Sequence, residues 1–405
     1  MSGGPEHVLV VGAGLGGIRT VEQLRHAGYE GRISLVGAEE HTPYDRPPLS
    51  KQLLAGDWEA ERLALKDDSG LEDLGVRLYL GLPAVALRPG EVELADGSVL
   101  SADAIVLATG VVARTLPGQP EVVHTLRTLD DALALRTDLD KAASLLVVGA
   151  GFIGAEVAST AVAKGVRVTV LEAAPVPLVR GLGERVGAMA GRLIAEGGVD
   201  LRLGVALREF VPTASGVTVE LADGTRLEAD VAVVGIGGRP DLEWLADTGL
   251  DLRDGVLCDA TGRVLGLDGV WALGDMAAWA DPETGGHHRH EHWTSTADQA
   301  TVVSRAITGT EPPPPTVPYF WSDQFGLKIQ LIGRPDLADS VEQLQGEGLD
   351  GGPIKGTVVG YFAGNALVAV AGFGAARYVV RYRALLQQKA DREAARDLAA
   401  SFVKK

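Results

Sequence analysis

The chain has 405 residues, 46% of them hydrophobic, which suits roughly two to four domains with several buried cores. Its formal charge of −17 argues against nucleic acid and anionic membrane surfaces as global partners, because both select a basic field. A single cysteine, Cys258, excludes a disulfide framework, a C-x-x-C redox pair and a cysteine cluster for zinc or iron–sulfur.

Residues 8–11 form an apolar strand. The turn Gly12-Ala13-Gly14-Leu15-Gly16-Gly17 follows, then a helix pattern to about Ala27 and a second strand at 33–36. This is a βαβ unit carrying G-x-G-x-x-G. Gly12 makes the tight turn, Gly14 admits a pyrophosphate to the backbone, and Gly17 lets the helix pack on the strand. The helix N-terminus then faces the phosphates. One such motif is weak evidence. Here residues 144–172 repeat it as strand, Gly149-Ala150-Gly151-Phe152-Ile153-Gly154, helix and strand. Two dinucleotide sites in one chain imply one cofactor that stays and one that visits.

After the second strand, Gly37 occupies the first-choice position for a ribose-binding acid. Glu39, two residues on, or the backbone at Ala38 takes that role. The prolines of 41–51 force an extended or turning path, with a helix resuming near Ser50 as N-cap. Arg46 and Lys51 read either as a solvated basic pair or, beside a flavin, as contacts to its ribityl–phosphate end and reactive ring edge. Residues 76–80, 91–94 and Val99 predict a meander around Asp96-Gly97. Residues 104–107 predict a buried strand running into Thr109-Gly110, another close backbone approach to the first cofactor. A linker follows at 117–120, then a helix with Thr128 as N-cap and Asp131 as its capping-box partner.

In the second unit Glu172 falls at the end of the second strand. An acid there binds both ribose hydroxyls and repels a 2′-phosphate, predicting NADH over NADPH. Glu156, just inside the helix, either answers the helix dipole or meets Lys51 and the nicotinamide. Residues 199–203, 217–221 and 226–228 predict a second meander. Residues 231–240 predict a strand entering a glycine turn that walls the nicotinamide. Residues 269–275 end a buried strand in Gly274-Asp275, at the carboxyl edge where open α/β sheets bind ligands. Asp275 accepts from ribityl hydroxyls, caps the next helix, or does both.

The run His287-His288-Arg289-His290-Glu291-His292 lacks H-E-x-x-H spacing and reads as a weakly basic loop or edge strand, so no metal is expected. Trp293 is positioned to pack on a flavin or the incoming nicotinamide. Residues 310–318, rich in proline, mark a boundary. Beyond it lies a small α+β domain with strands at 328–332, 356–362 and 366–373 and a helix from Ala375. Arg377, Arg381 and Arg383 on that helix read either as surface charge or as a docking stripe, with Lys328, Arg289 and the histidine run as further candidates. No apolar run approaches the ~20 residues that span a bilayer. Residues 1–7 are polar rather than signal-like, so a cytoplasmic protein is expected.

Taken together, these segments resemble the FAD-dependent, NADH-using ferredoxin reductases of the putidaredoxin reductase and aromatic-ring dioxygenase type. The motifs are the two glycine turns, Tyr44-Asp-Arg-Pro-Pro-Leu-Ser-Lys51, Ala108-Thr-Gly110, Arg127-Thr-Leu-Asp130, Gly235-Ile-Gly-Gly-Arg-Pro240, Gly274-Asp275 and His292-Trp293. The resemblance spans essentially the whole chain. It implies an α/β, glutathione-reductase-like fold with two Rossmann-type dinucleotide-binding domains and a C-terminal α+β domain. The FAD domain would be discontinuous, 1–114 and 239–315, with the NAD domain at 115–238 and the last domain at 316–405.

The resemblance further implies that FAD is held by Gly12, Gly14, Leu15, Gly16, Gly17, Ala38 and Glu39. Arg46, Lys51, Ala84, Thr109, Gly110, Arg127, Gly274, Asp275 and Trp293 complete that set. NAD(H) would use Gly149, Gly151, Phe152, Ile153, Gly154, Glu156, Glu172 and Gly237. Lys51 and Glu156 would be a tuning pair, with no protein nucleophile. Gly238 stands where the family commonly has a bulkier residue, a departure expected to loosen the nicotinamide wall. The segment Arg377-Tyr-Val-Val-Arg-Tyr-Arg383 also diverges from the family pattern.

The implied activity is electron transfer from NADH through FAD to a small iron–sulfur protein, a [2Fe–2S] ferredoxin serving an oxygenase or P450. The alternatives are a rubredoxin or small quinone-like acceptor, and a slow-turnover signalling flavoprotein like apoptosis-inducing factor. An NADH oxidase or disulfide reductase would need a redox cysteine beside the flavin, and Cys258 lies away from the glycine motifs. A monomer or weak homodimer is the default expectation.

Overall fold

A computed structural model describes residues 4–214 and 216–403. It separates into two compact units. The first comprises the chain to Asp45, Glu61–Val112 and Gly238–Thr316; the second comprises Arg46–Ala60, Ala113–Gly237 and the chain from Val317.

The first unit is built on a five-stranded parallel sheet ordered Val270–Ala272, Ala104–Leu107, His7–Val11, Arg32–Val36, Val76–Tyr79. Its central strand is apolar at successive positions because both faces are covered. Val8 and Val10 join a core with Val21 and Leu24 of the helix Leu15–His26 and Ala300 and Val303 of the helix Trp293–Thr308. Leu9 and Val11 join a separate core with Leu87, Val92 and Leu94 of an antiparallel meander. Each such side chain, fully buried, contributes about 1.5–3 kcal/mol relative to exposure.

The second unit repeats the plan. Its parallel sheet runs Asp200–Leu203, Arg167–Glu172, Ser144–Val148, Val231–Val234, Val123–His124. Leu145 and Val147 pack with Ala155, Ala158 and Ala161 of the helix Phe152–Ala163, whereas Leu146 and Val148 pack with Phe210, Val217 and Val219 of a second meander. This unit also carries a five-stranded antiparallel sheet, ordered Tyr319–Gln324, Leu327–Gly333, Ala366–Phe373, Thr357–Ala363, Ser340–Gln345. One face packs on the helix Val179–Glu196 and the other on Val379, Tyr382, Leu386 and Ala395 of the C-terminal helices.

Several sequence expectations are corrected. Residues 76–79 belong to the first parallel sheet, with Ile33 beside Val76, and not to the meander. The meander's first strand is Ala84–Arg88, in which only Leu87 is buried. Residues 200–203 likewise extend the second parallel sheet, and Leu207–Thr213 opens that meander. Ser50 does not cap a helix; it ends the 3₁₀ turn Pro47–Ser50, and Lys51 precedes the short helix Gln52–Ala55. The helix from Ala375 is broken into Ala376–Val379, Val380–Tyr382 and Arg383–Gln387. Two strands of the last sheet, Tyr319–Gln324 and Ser340–Gln345, carry too many polar residues to be seen by hydrophobicity. The predicted capping box is present: Thr128 Oγ1 accepts from the Asp131 N–H at 3.1 Å, and Asp131 accepts from the Thr128 N–H at 3.0 Å.

Candidate functional site

The two glycine turns have the same construction. Gly12 has φ +116° and Gly149 +104°, in the left-handed region that disfavours a side chain. A Cβ on Gly17 would sit 1.9 Å from the Gly12 carbonyl oxygen; on Gly154 it would sit 2.0 Å from that of Gly149. The outer glycines therefore fix turn and helix packing. The middle glycines differ. A Cβ on Gly14 would meet nothing within 4 Å, and one on Gly151 only the Gly235 carbonyl oxygen at 3.9 Å. Gly14 and Gly151 are the N-caps of their helices, and no described side chain caps either. Each turn thus offers bare helix N-terminal amides beside a position kept free of side chain. These are the features a pyrophosphate requires.

At the carboxyl edge of the first sheet the chain gathers several predicted residues. The Gly274 N–H donates to Gln299 Oε1 at 2.8 Å, and Asp275 follows in the turn Gly274–Met276. The Thr109 N–H and hydroxyl both point at Met276 Sδ, at 3.2 and 3.1 Å, and Gly110 turns with φ +71°. A Cβ on Gly16 would touch Leu273 Cδ1 at 2.7 Å, so the first glycine turn adjoins this strand end. Glu39 accepts from the Tyr44 hydroxyl at 2.6 Å, while Ala38 is exposed. Trp293 opens its helix, and its Nε1 donates to Asp45 Oδ1 at 2.8 Å. Ala84 starts the meander, half-buried. A larger side chain at Gly238 has no space: its Cβ would lie 2.6 Å from Val111 Cγ2. Val111 fills the space that a bulkier residue there would take.

Arg46, Lys51 and Arg127 fall in the second unit, where Arg46 Nη1 donates to the Arg127 carbonyl. Glu156 is 3% exposed and is the centre of a hydrogen-bond network in that unit. Its Oε2 accepts from Lys51 Nζ at 2.8 Å and Ser50 Oγ at 2.5 Å. Its Oε1 accepts from Ser322 Oγ at 2.6 Å and from the Asp323 N–H at 3.3 Å. Thr160 Oγ1 donates to the Ser50 carbonyl, and Gln324 Nε2 to Ser322 Oγ. An ammonium, two hydroxyls and a backbone amide thus occupy both oxygens of this buried carboxylate. Ser50, Ser322 and Gln324 escape sequence reasoning. Ser50 sits inside a recognised motif, but nothing in Phe320-Trp-Ser-Asp-Gln324 marks Ser322 as a partner of a residue far away in sequence.

Glu172 accepts from the Ala150 N–H at 2.7 Å and the Ala174 N–H at 2.8 Å, bracing the second glycine turn. Each oxygen keeps acceptor capacity for a ribose hydroxyl. Phe152 packs on Phe320 with ring centroids 4.3 Å apart, and Ile153 is 46% exposed. Gly237 has φ +95° and open space at its Cβ position. Cys258 is fully buried in the first core, and burial pushes its thiol up to about 12. The histidines occupy the edge strand His287–Arg289 and the residues after it, and no group of three metal-ligating side chains occurs among the described residues. Among the described residues no helix is long and apolar enough to cross a membrane.

Two such cradles on two parallel sheets, followed by a small antiparallel domain, define a two-nucleotide oxidoreductase. The profile of the pyridine nucleotide-disulphide oxidoreductase family matches residues 6–300, and a reductase C-terminal profile matches residues 319–403. The chain belongs to that family, and its cofactors are FAD and NAD(H). It is 40% identical over 334 residues to the benzene 1,2-dioxygenase system ferredoxin–NAD(+) reductase subunit of Pseudomonas putida, covering 81% of this chain and 80% of that protein. It is equally 40% identical over 334 residues to the chlorobenzene dioxygenase ferredoxin reductase component of Cupriavidus sp. strain PS12, with the same coverage. A crystal structure of the covalent putidaredoxin reductase–putidaredoxin complex matches with a TM-score of 0.90 at 30% identity, covering 98% of each chain.

Proposed function

We propose that the protein takes reducing equivalents from NADH and passes them to a small iron–sulfur protein, a [2Fe–2S] ferredoxin serving an oxygenase or P450. The observation that carries this reading is the repeated cradle, an open middle glycine at an uncapped helix N-terminus, present once in each unit. FAD, when bound, supplies hydride acceptance from NADH and release of electrons one at a time.

The first turn and Thr109, Gly110, Gly274, Asp275, Glu39 and Trp293 hold FAD in this reading. Ala38, Ala84, Arg46 and Arg127 are assigned to it on their motifs. The second turn, with Phe152, Ile153, Gly237 and Glu172, holds NADH, and the Glu172 carboxylate disfavours a 2′-phosphate. Lys51 and Glu156 tune the flavin–nicotinamide pair by holding a fixed positive charge in one place. Cys258, buried and far from ionising, supplies no thiolate, which disfavours a disulfide relay. The FAD-binding domain would be 1–114 and 239–315, the NAD-binding domain 115–238 and the last domain 316–405. The protein would act in the cytoplasm as a monomer or weak homodimer.

Anaerobic stopped-flow tests the reading. The flavin-loaded protein should bleach rapidly with NADH and then reduce cytochrome c only when a [2Fe–2S] ferredoxin is present. Bleaching without ferredoxin dependence would point to another acceptor, such as rubredoxin or a quinone. No bleaching would sink the reductase reading.

A further inference from the structure

The arginines in much of this protein are answered by acids. Arg19 pairs with Glu22, Arg136 with Glu59, and Arg392 and Arg396 with Glu342. The stretch 351–390 breaks that habit. It contains no Asp or Glu in a chain of net charge −17, yet it carries Lys355, Arg377, Arg381, Arg383 and Lys389. Lys355, Arg377, Arg381 and Arg383 form no ion pair with any described carboxylate. Lys328 and Arg289 are neutralised in place by Asp323 at 2.8 Å and Glu291 at 2.7 Å, so both weaken as docking cations.

The unpaired cations are arranged, not scattered. Arg377 lies over the Tyr378 ring at 4.6 Å and Arg381 over the Phe402 ring at 5.2 Å, and those two rings are 4.9 Å apart. The two guanidiniums share one aromatic floor. Lys355 packs beside Gly374, its Cγ 3.3 Å from where a Cβ on that glycine would be, and Gly374 lies just ahead of Arg377 in the chain. Between the arginines Val380 is 56% exposed. An apolar centre with a charged rim is the anatomy of a protein interface more than of a phosphate site.

We propose that Lys355, Arg377, Arg381 and Arg383 around Val380 dock an acidic protein electron acceptor through its carboxylates. The proposal rests on the reading that a small electron-transfer protein is the acceptor. Overall, an acidic acceptor is repelled by a protein of this charge. An unneutralised patch of several cations then selects one orientation at close range, where salt screens the rest of the surface beyond ~8 Å.

The test uses the full-length FAD-loaded protein with Arg377→Glu, Arg381→Glu and Arg383→Glu combined. A control of equal charge change combines Arg32→Glu, Lys141→Glu and Arg167→Glu, all at exposed positions. Putidaredoxin and a dioxygenase-system ferredoxin serve as acceptors, and an uncharged quinone reports NADH oxidation without docking. At low ionic strength the patch variant should raise the ferredoxin KM roughly tenfold or more and flatten its salt dependence. Its quinone turnover should match wild type, and the control should shift KM far less. An unchanged KM, or an equal rise in the control, overturns the proposal. Loss of affinity for anionic vesicles with ferredoxin kinetics unmoved overturns it too, in favour of a lipid partner. If the wild type oxidises NADH with the quinone but reduces neither ferredoxin, the acceptor reading itself fails and takes the docking surface with it.

Discussion

Gly37 and Glu172 stand at the same register position of two parallel sheets. Each directly follows the residue paired with the last strand residue before the glycine turn, Val36 beside Val11 and Leu171 beside Val148. At Gly37 a Cβ would meet Ala13 Cβ at 2.7 Å and Leu80 Cδ2 at 3.0 Å, so that turn has no room for an acid. At Glu172 the carboxylate instead braces the Ala150 N–H. Exchange of one residue thus gives two copies of one turn different ribose edges. Glu172→Ser should lower kcat/KM for NADH and raise it for NADPH, each on the order of tenfold, the scale of a charge-assisted hydrogen bond. Steady-state kinetics with both coenzymes would show it. An unchanged ratio would mean the acid does not meet the ribose.

The glycines of each turn separate binding from folding. Gly14→Ala adds a methyl where nothing lies within 4 Å, so stability should hold while FAD retention falls. Gly151→Ala should leave FAD in place and raise the NADH KM. Gly17→Ala forces a methyl to 1.9 Å from a carbonyl oxygen and should cost about 1–3 kcal/mol or more of stability. Flavin content after gel filtration and thermal unfolding distinguish the three.

Lys51→Met leaves the Glu156 carboxylate buried with hydroxyl and amide donors only. Breaking a fully buried pair costs about 3–5 kcal/mol, and the 13% exposure of the Lys51 side chain places this one toward the low end. Adding Glu156→Gln should recover part of that loss in urea unfolding. Both variants should slow NADH-driven bleaching by on the order of tenfold or more if the pair tunes hydride transfer. A normal rate in a folded variant would leave the pair a structural tie.

Burial raises the Cys258 thiol to about 12 from an ordinary value of 9.0. The unfolded chain gives up that proton first as pH rises. The group's contribution is therefore complete below pH about 9 and is lost progressively toward 12. Cys258→Ser, which has nothing to ionise there, should flatten the fall of unfolding free energy over that window. Iodoacetamide should label Cys258 only when the protein unfolds; labelling at a free-thiol rate in the native state would contradict the burial.

Elements backed by an entire apolar face or a glycine geometry were legible in the sequence. The strand ending at Val11, the turn at Gly12 and their repeat at 144–154 read directly, since two-sided burial leaves an unbroken apolar run. Strand partnership was not legible. Residues 76–79 and 84–88 look alike as short apolar segments, and only the register of Ile33 beside Val76 assigns the first to the parallel sheet. Lys51 and Glu156 were recognisable as a pair, but the rest of their network was not. Ser322 is buried by the C-terminal sheet, and neither local period nor charge in 319–324 reports that its hydroxyl faces Glu156.

The donors around Glu156 come from residues 50–51 and 322–323, so three distant stretches must meet before that carboxylate is satisfied. During synthesis the segment Arg46–Ala60 emerges early, but its full set of partners is complete only once Ser322 and Asp323 have been made. A ribosome-released fragment stopping before Tyr319 would have Ser50 and Lys51 but neither Ser322 nor the Asp323 amide. Completion of this buried cluster is therefore a late event in the life of each new chain, and it certifies that the C-terminal sheet has formed.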